Sequence, residues 1–427
     1  MDEIWSIGLA RRASSAAVVF RGLHDDNNNV LNTLYLRLVP ENAPYAAYRA
    51  LSLVAGLLAV ALLGWDEEDR RRGIVAASLA GVSTHMVLYS TEARGYALMS
   101  LLALICWRLI RSGRAAAFGV CALLAFLSHP TFVYVYAAFF AWAWFHYPRE
   151  RRVRELAALF AFPTIAFAIL ELLQMPVVVG GAAAYGLGSI LLSTAAIWSG
   201  SPFNAVASLA GGAALAALVA WELARLRRER KDEFVFYAAL FAAALVFAAI
   251  FPYPFERHFY ACLPFALMLI AGALMRLSRE GRMKRAAAGA FMAAFALGNG
   301  LRDSKLAILG RGHYEEAVAC MAAETPGEIV TVGGDHDKRD GMVLEFYAAR
   351  SPSGKKFAYV GESERAANPP EWFLMHGFFT DARLAPVALT YPGAGAQYRL
   401  VSVYPYAGLS GWTWMLFRRG AATPGGT

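Results

Sequence analysis

The basic residues of this chain alternate along it in a pattern that a membrane explains. Ten apolar stretches, at residues 46–64, 73–90, 95–110, 115–128, 130–147, 155–173, 203–222, 234–251, 256–276 and 286–301, are joined by short connections. Nineteen of the twenty-one Lys and Arg residues in those connections fall in alternate ones, within 70–72, 111–114, 149–154, 225–231 and 276–285. Loops on the cytoplasmic side hold an excess of Lys and Arg, so the basic connections are predicted to lie inside. The connections between them carry only Arg94 and Arg257. A lone cation on the outer side works against this topology, which marks both for a local anionic partner.

Composition agrees: 58% of residues are hydrophobic, 17% are charged and mean hydropathy is +0.42, far from a soluble average. The formal net charge of +8 resides mostly in the inner connections. No helix-turn-helix, zinc-finger or RNA-binding motif accompanies it, so no nucleic-acid partner is expected. Of the four cysteines, Cys106, Cys121 and Cys262 sit in apolar spans and Cys320 stands alone, without disulfide or metal-ligand spacing.

The spacing therefore predicts a polytopic α-helical membrane protein with about ten helices in residues 1–301. Several spans are shorter than the roughly 20 residues a lipid-facing helix needs, and the fourth and fifth are expected to meet at His129-Pro130. Residues 1–45 then form an external loop. An external start calls for a preceding helix upstream of Met1, or for translocation of the tail by a reverse-anchor first helix. From about residue 302 the pattern changes to polar helices, alternating strands and turn clusters, which predicts a small extracytoplasmic α/β domain over 302–427. Helices are expected over 311–324 and 341–350, and strands over 328–332, 357–360, 372–376, 397–404 and 412–417. Gly333-Gly334-Asp335 lacks the rest of a phosphate-loop fingerprint and reads as a turn.

Unusual polar residues gather on the external side. The first loop holds Asp2 and Glu3, then His24-Asp25-Asp26-Asn27-Asn28-Asn29 leading into an apolar helix. The second external connection reads Glu92-Ala93-Arg94-Gly95-Tyr96, and a third contains Glu256-Arg257-His258. Acids, amides and cations at one membrane surface suit a reaction on a lipid-linked anionic substrate. Capping of the following helix accounts for one side chain of the 24–29 stretch, not for six. Among the remaining ionisable groups, His129 reads as a helix-break residue, Glu171 as a cavity-lining candidate and Glu222 as a snorkelling side chain.

The order of these motifs (Asp-Glu, a His-Asp stretch before a helix, Glu-x-Arg-x-Tyr-Ala-Leu, then Glu-Arg-His-Phe and Leu-Pro) resembles the C-type, or GT-C fold, polyprenyl-phosphate-dependent glycosyltransferases. Bacterial relatives of protein mannosyltransferases and aminoarabinose transferases are the subgroup it looks most like, over residues 1–300. The resemblance implies transfer of a sugar from a polyprenyl-phosphate donor to the hydroxyl of a lipid, glycan or protein acceptor outside the cell membrane, a bacterial inner membrane, usually with inversion. It implies Asp2 as general base with Glu3 beside it, and His24, Asp25, Asp26, Asn29, Glu92, Arg94, Tyr96, Glu256, Arg257 and His258 as substrate-binding residues. Arg257 has the strongest claim to the phosphate, because guanidinium matches phosphate bidentately and stays charged. Members of the family often carry His-Pro-Pro or Lys-Pro-Pro where this chain has Asp-Asn-Asn. That departure admits a divalent cation on Asp25 and Asp26 as the phosphate contact.

Two other classes remain open at this point: a transporter or flippase for a lipid-linked or anionic solute, and a non-catalytic membrane scaffold. Transporters often show internal repeats and helices broken at the midplane. No repeat is visible, and the polar residues cluster at a surface. The 302–427 domain carries no nucleophile with a partnered base, so it is expected to cover the membrane cavity and help select the acceptor.

Overall fold

The computed structural model describes residues 2–25, 27–65, 68–175, 186–201, 205–251, 255–377, 383, 385–390, 396–409 and 412–420. Two compact units emerge: Leu9–Leu301, entirely helical in its regular elements, and a second made of Met1–Gly8 with Arg302–Thr427.

Every apolar stretch read from the sequence is helical, but the helices are of two kinds. Five are long and apolar enough to cross a bilayer: Tyr45–Gly64, Arg149–Gln174, Ala205–Glu229, Lys231–Ile250 and the segment Glu256–Arg279. The pair Arg70–Val82 and Thr84–Ser90 makes a sixth if counted as one span bent by 66°. By length and composition, five or six of the described helices could cross, where ten spans were expected. Of the other four stretches, 286–301 lies in the 28-residue helix Arg282–Leu309, which is less apolar, and three are short. Tyr96–Arg111, Ala115–Ser128 and Phe132–His146 have 16, 14 and 15 residues, so they reach only about 21–24 Å at 1.5 Å per residue, short of a roughly 30 Å hydrocarbon core. Their side chains explain how short helices survive there: Trp107 stacks on Phe236 at 4.5 Å, Phe118 meets Phe139 edge-on at 5.6 Å, and all four are buried. The long helices instead present Leu57, Leu172, Val206 and Ile250 outward, as lipid-facing helices do. The helix Leu187–Trp198 falls in a stretch where no span was expected.

A break in a buried helix frees backbone groups that hydrocarbon cannot satisfy. At Ser83, Asn299 supplies the partners: its Oδ1 accepts from the Thr84 N–H at 2.9 Å, and its carbonyl accepts from Thr84 Oγ1 at 3.1 Å. Glu222 does not snorkel. It is buried, bonded by Arg276 Nε and Arg225 Nη2, each at 2.9 Å, and the absent side chain of Gly272 leaves room for the group. Desolvating a carboxylate there is tolerable only with such paired guanidiniums.

In the second unit a six-stranded mixed sheet has the order β2-β1-β3-β6-β5-β4, with β1 Ile329–Gly334, β2 Lys356–Tyr359, β3 Trp372–Gly377, β4 Ala388–Thr390, β5 Gln397–Tyr404 and β6 Thr413–Arg419. β1 runs parallel to β2 and β3; β3, β6, β5 and β4 pair antiparallel. Helices Tyr314–Glu324 and Asp337–Ala348 add Tyr314, Met321, Val343 and Leu344 to a core with Val330, Trp372, Trp414 and Leu416. β4 was not anticipated, and the second helix begins four residues before its expected start because His336 accepts the Arg339 N–H as its cap. Ile4 belongs to this core, and Glu3 pairs with Arg311 at 3.3 Å. Residues 1–8, expected in the first external loop of the membrane part, therefore group with 302–427. The rest of that loop is not extended chain either: Ala16–Arg21 and Val30–Leu38 are helices, and Asp2–Arg12 is a helix within which the unit boundary falls.

Candidate functional site

Within the helical unit, three pieces of chain converge: the turn at 24–29, the hairpin at 91–95 and the 3-10 helix Glu256–Cys262. Asp25 folds the turn by accepting the Asn27 N–H on Oδ1 at 3.0 Å, while the Asn28 amide bonds the carbonyls of Val19 and Leu23. This orients Asn27, whose Oδ1 accepts from Arg94 Nη2 at 2.8 Å. Asn32, one turn into the next helix, holds the hairpin itself by donating to the Ala93 carbonyl at 2.8 Å. Ser52 does the same at the Arg94 carbonyl, 2.9 Å away. Arg94 is thus a buried residue whose backbone is held from two helices and whose guanidinium is held by Asn27.

Aromatic rings continue the site. Arg94 lies 4.9 Å from the centre of the Tyr96 ring, which stacks on His129 at 4.0 Å. Tyr89 packs between Tyr96 (4.6 Å) and Tyr260 (4.9 Å), and His85 touches both Tyr89 and Tyr260 while accepting from Trp198 Nε1 at 3.1 Å. The charges of Arg94 and Arg257 both bear on Tyr89 and on His129, and Glu92 bears on Tyr89, so these groups form one electrostatic neighbourhood. Arg257 is half-buried, its guanidinium 4.6 Å from the Phe255 ring. His258 accepts the Phe255 N–H on Nδ1 at 3.2 Å, which fixes the first turn of that 3-10 helix.

Of the residues expected to bind substrate, Glu92, Arg94, Tyr96, Arg257 and His258 share this neighbourhood; Glu256 is half-buried beside Arg257. His24 is turned to the carbonyl of Gln174, 2.7 Å from its Nδ1, and Asn29 is buried with its amide on the Asn27 carbonyl. Asp26 lies outside the described residues. Asp2 and Glu3 belong to the other unit. Sequence reading missed Asn27 and gave His129 only a helix-break role; Tyr89 and His85 were not singled out. Nothing in local spacing marks a contact between residues 27 and 94. The aromatic positions Tyr89 and Tyr96 do lie on either side of the Arg94 hairpin, a signal that could have been read.

The divalent cation that Asp25 and Asp26 admit falls at a position partly outside the described residues, since Asp26 lies outside them. Three side chains that could together hold an ion do meet in the other unit, at the carboxyl ends of β1 and β3: Asp335, Asp340 and His376. There Arg339 already serves as the cation. Its guanidinium pairs with Asp335, reaches Asp340 Oδ1 at 3.0 Å from Nε, and lies 2.5 Å from His376 Nδ1. His376 Nδ1 is also 2.7 Å from Asp335 Oδ1, and the Asp335 carboxylate accepts the His376 N–H at 3.0 Å. Asp337, the first residue of its helix, binds Arg365, the Tyr359 hydroxyl at 3.0 Å and the Glu362 N–H at 2.8 Å. Asp335, read with Gly333 and Gly334 as a plain turn, is one joint of an ion-pair network.

Burial, partly offset by Arg339, pushes Asp340 up to about 7, and burial holds His376 down to about 4. Against its burial, the side-chain and backbone hydrogen bonds from His376, and then the charge of Arg339, hold Asp335 down to about 2. A carboxyl with a raised folded pKa contributes stability that is complete below its unfolded value near 3.8 and is lost as pH rises through about 7. The opposing His376 contribution is common to wild type and Asp340→Asn. The melting temperature of wild type minus that of Asp340→Asn, measured on the full chain in detergent, should therefore rise as pH falls from 8 to 5. A gap independent of pH would mean that Asp340 does not carry the proton.

No family model matches the chain, and no curated protein does. Two solved structures do: ArnT from Cupriavidus metallidurans in the apo state, at TM-score 0.54 and 11% identity, and the same protein bound to undecaprenyl phosphate, at TM-score 0.51 and 12% identity. Both alignments cover 100% of this chain, with 94% and 95% of the ArnT chains. At this identity the likeness establishes the fold, that of a polytopic helical membrane protein with a small carboxy-terminal sheet domain.

Proposed function

We propose that the chain is a membrane glycosyltransferase that takes a sugar from a polyprenyl-phosphate donor and passes it to an acceptor hydroxyl on the extracytoplasmic side. The observation that carries this reading is the convergence of two guanidiniums, a fixed Arg94 and a half-buried Arg257, on one aromatic-lined neighbourhood in a fold shared with a protein solved with undecaprenyl phosphate bound. The lone outward cations of the sequence are thereby given a common anionic partner.

In this reading the acceptor oxygen attacks the anomeric carbon from the face opposite the lipid phosphate, so the product is inverted. A carboxylate takes the hydroxyl proton as the new C–O bond forms. The bond from the anomeric carbon to the phosphate oxygen breaks, and the electron pair leaves with the polyprenyl phosphate. Arg257 meets the charge that develops there, while Arg94, held by Asn27, keeps the neighbourhood positive. The base in this reading is Asp2, as the resemblance of the Asp-Glu motif implies. Purified protein assayed with a panel of polyprenyl-phosphate sugars should lose at least about a hundredfold in turnover on Asp2→Asn with its melting temperature kept. Wild-type turnover in that variant would remove Asp2 from the mechanism.

The bent span at Ser83 is the one feature that favours a transporter, since broken helices frequent such folds. Its backbone is closed by Asn299, which favours a rigid joint over an ion or solute site. Sugar-independent flux of the lipid-linked donor across liposomes, undiminished in Arg257→Gln, would reverse that preference.

A further inference from the structure

A cavity of about 440 Å³ opens at the end of the helical unit away from the Arg94 hairpin. The helix that begins at Tyr96, beside that hairpin, ends at Arg111 on the cavity wall. Leu62 and the exposed Trp65 line it together with Arg72, Arg108, Arg111 and Arg114, with Glu68 as the carboxylate among its described residues. Two of the arginines are pre-set by their surroundings. Arg108 donates to the carbonyl of Leu62 at 3.0 Å, at the end of the helix Tyr45–Gly64, and Arg111 lies over the Trp107 ring at 5.3 Å. Glu68 is held ionised, near 2, first by its hydrogen bond to Arg230 and then by Arg111. Its charge is therefore already met by Arg230, outside the lining, and by Arg111 at 2.5 Å. Arg114 is exposed and forms no ion pair among the described residues.

Guanidiniums beside apolar side chains at the end of a membrane bundle suit one kind of occupant. A soluble anion would use the arginines and leave Trp65 in contact with water. A neutral lipid would cover Trp65 and leave the surplus positive charge of the lining uncompensated. We propose that this cavity binds the phosphodiester headgroup of an anionic membrane phospholipid, the arginines meeting the phosphate and Trp65 with Leu62 meeting the glycerol and first acyl methylenes. The volume lies within the roughly 300–1,000 Å³ of small-molecule sites. Such a lipid would tie together the ends of three helices, Tyr45–Gly64, Arg70–Val82 and Tyr96–Arg111, which carry the cavity. The site is separate from the transferase reading: it stands whichever substrate the opposite end takes.

The full chain, stripped of lipid in detergent, is titrated with dioctanoyl phosphatidylglycerol, dioctanoyl phosphatidylcholine and glycerol phosphate, followed by native mass spectrometry and by melting temperature. One phosphatidylglycerol should bind and raise the melting temperature, with phosphatidylcholine and glycerol phosphate each about tenfold weaker or more. Arg72→Gln with Arg114→Gln should weaken phosphatidylglycerol by about tenfold or more. Both side chains lie at partly exposed positions, where losing an ion pair such as Arg72–Glu68 costs little stability. Should the double variant fail to fold, the wild type alone still decides: its affinity must fall as salt rises. Equal binding of phosphatidylcholine, glycerol phosphate as tight as the lipid, an unaffected folded variant, or affinity indifferent to salt would each overturn the proposal.

Discussion

Arg257→Gln should lower turnover with a polyprenyl-phosphate sugar by about 10²- to 10³-fold, the range lost when a donor to a developing negative charge is removed, or about 2.7–4 kcal/mol of barrier. The side chain sits in the first turn of the 3-10 helix Glu256–Cys262, whose N–H groups point toward the same end, and the Phe255 ring 4.6 Å away limits where the guanidinium can go. Charge matters most as the phosphate departs, so the loss should appear in kcat more than in KM. Arg257→Lys keeps the charge and loses the planar fork, and should recover part of the rate. The comparison is made in single-turnover assays on protein with unchanged melting temperature. A Gln variant that turns over like wild type would leave the leaving group to Arg94 or to another part of the chain, and the proposed division of labour would fall.

How much of this could be read in the sequence depends on the range of each interaction. Hydrophobic runs and charge alternation are local, so the helices and most strands of the sheet were legible; β5 was placed at its observed bounds, 397–404. Whether a helix crosses the bilayer was not. Phe132–His146 is as apolar as a span, but it lies among Trp107, Phe118 and Phe265, and burial by neighbours substitutes for length. The outward arginines were visible as exceptions to a rule. Their fixation was not, since Asn27 and Arg94 are 67 positions apart and an amide in a polar run carries no signature of its partner. Glu222 misled for the opposite reason: near a helix end beside several arginines, snorkelling is the local expectation, and only the approach of Arg276 past Gly272 makes a buried pair. The first eight residues follow the same logic. Asp2-Glu3 is a motif in one dimension, whereas Ile4 is committed by packing to a core whose other members begin at residue 314.

Gly95→Ala should be among the most damaging single-carbon changes in the helical unit. A Cβ at this position would lie 1.8 Å from the Ser128 carbonyl oxygen and 3.2 Å from Asn29 Cβ. The first obstacle is backbone, so no rotamer change relieves it. Gly95 has φ −73° and ψ −4°, which alanine adopts freely, so space alone requires glycine here. The start of the helix Tyr96–Arg111 would have to move away from the end of Ala115–Ser128, and with it the Tyr96 ring from His129 and Arg94 from Asn27. Overpacking of this kind costs about 1–3 kcal/mol and more where backbone must shift. The expected result is a fall in melting temperature of several degrees together with loss of turnover in whatever protein remains folded. Gly289→Ala, where an added Cβ meets nothing within 4 Å, serves as the control and should change neither. If Gly95→Ala melts and turns over like wild type, the hairpin is not held against Ser128, and the geometry that gives Arg94 its place in the site is wrong.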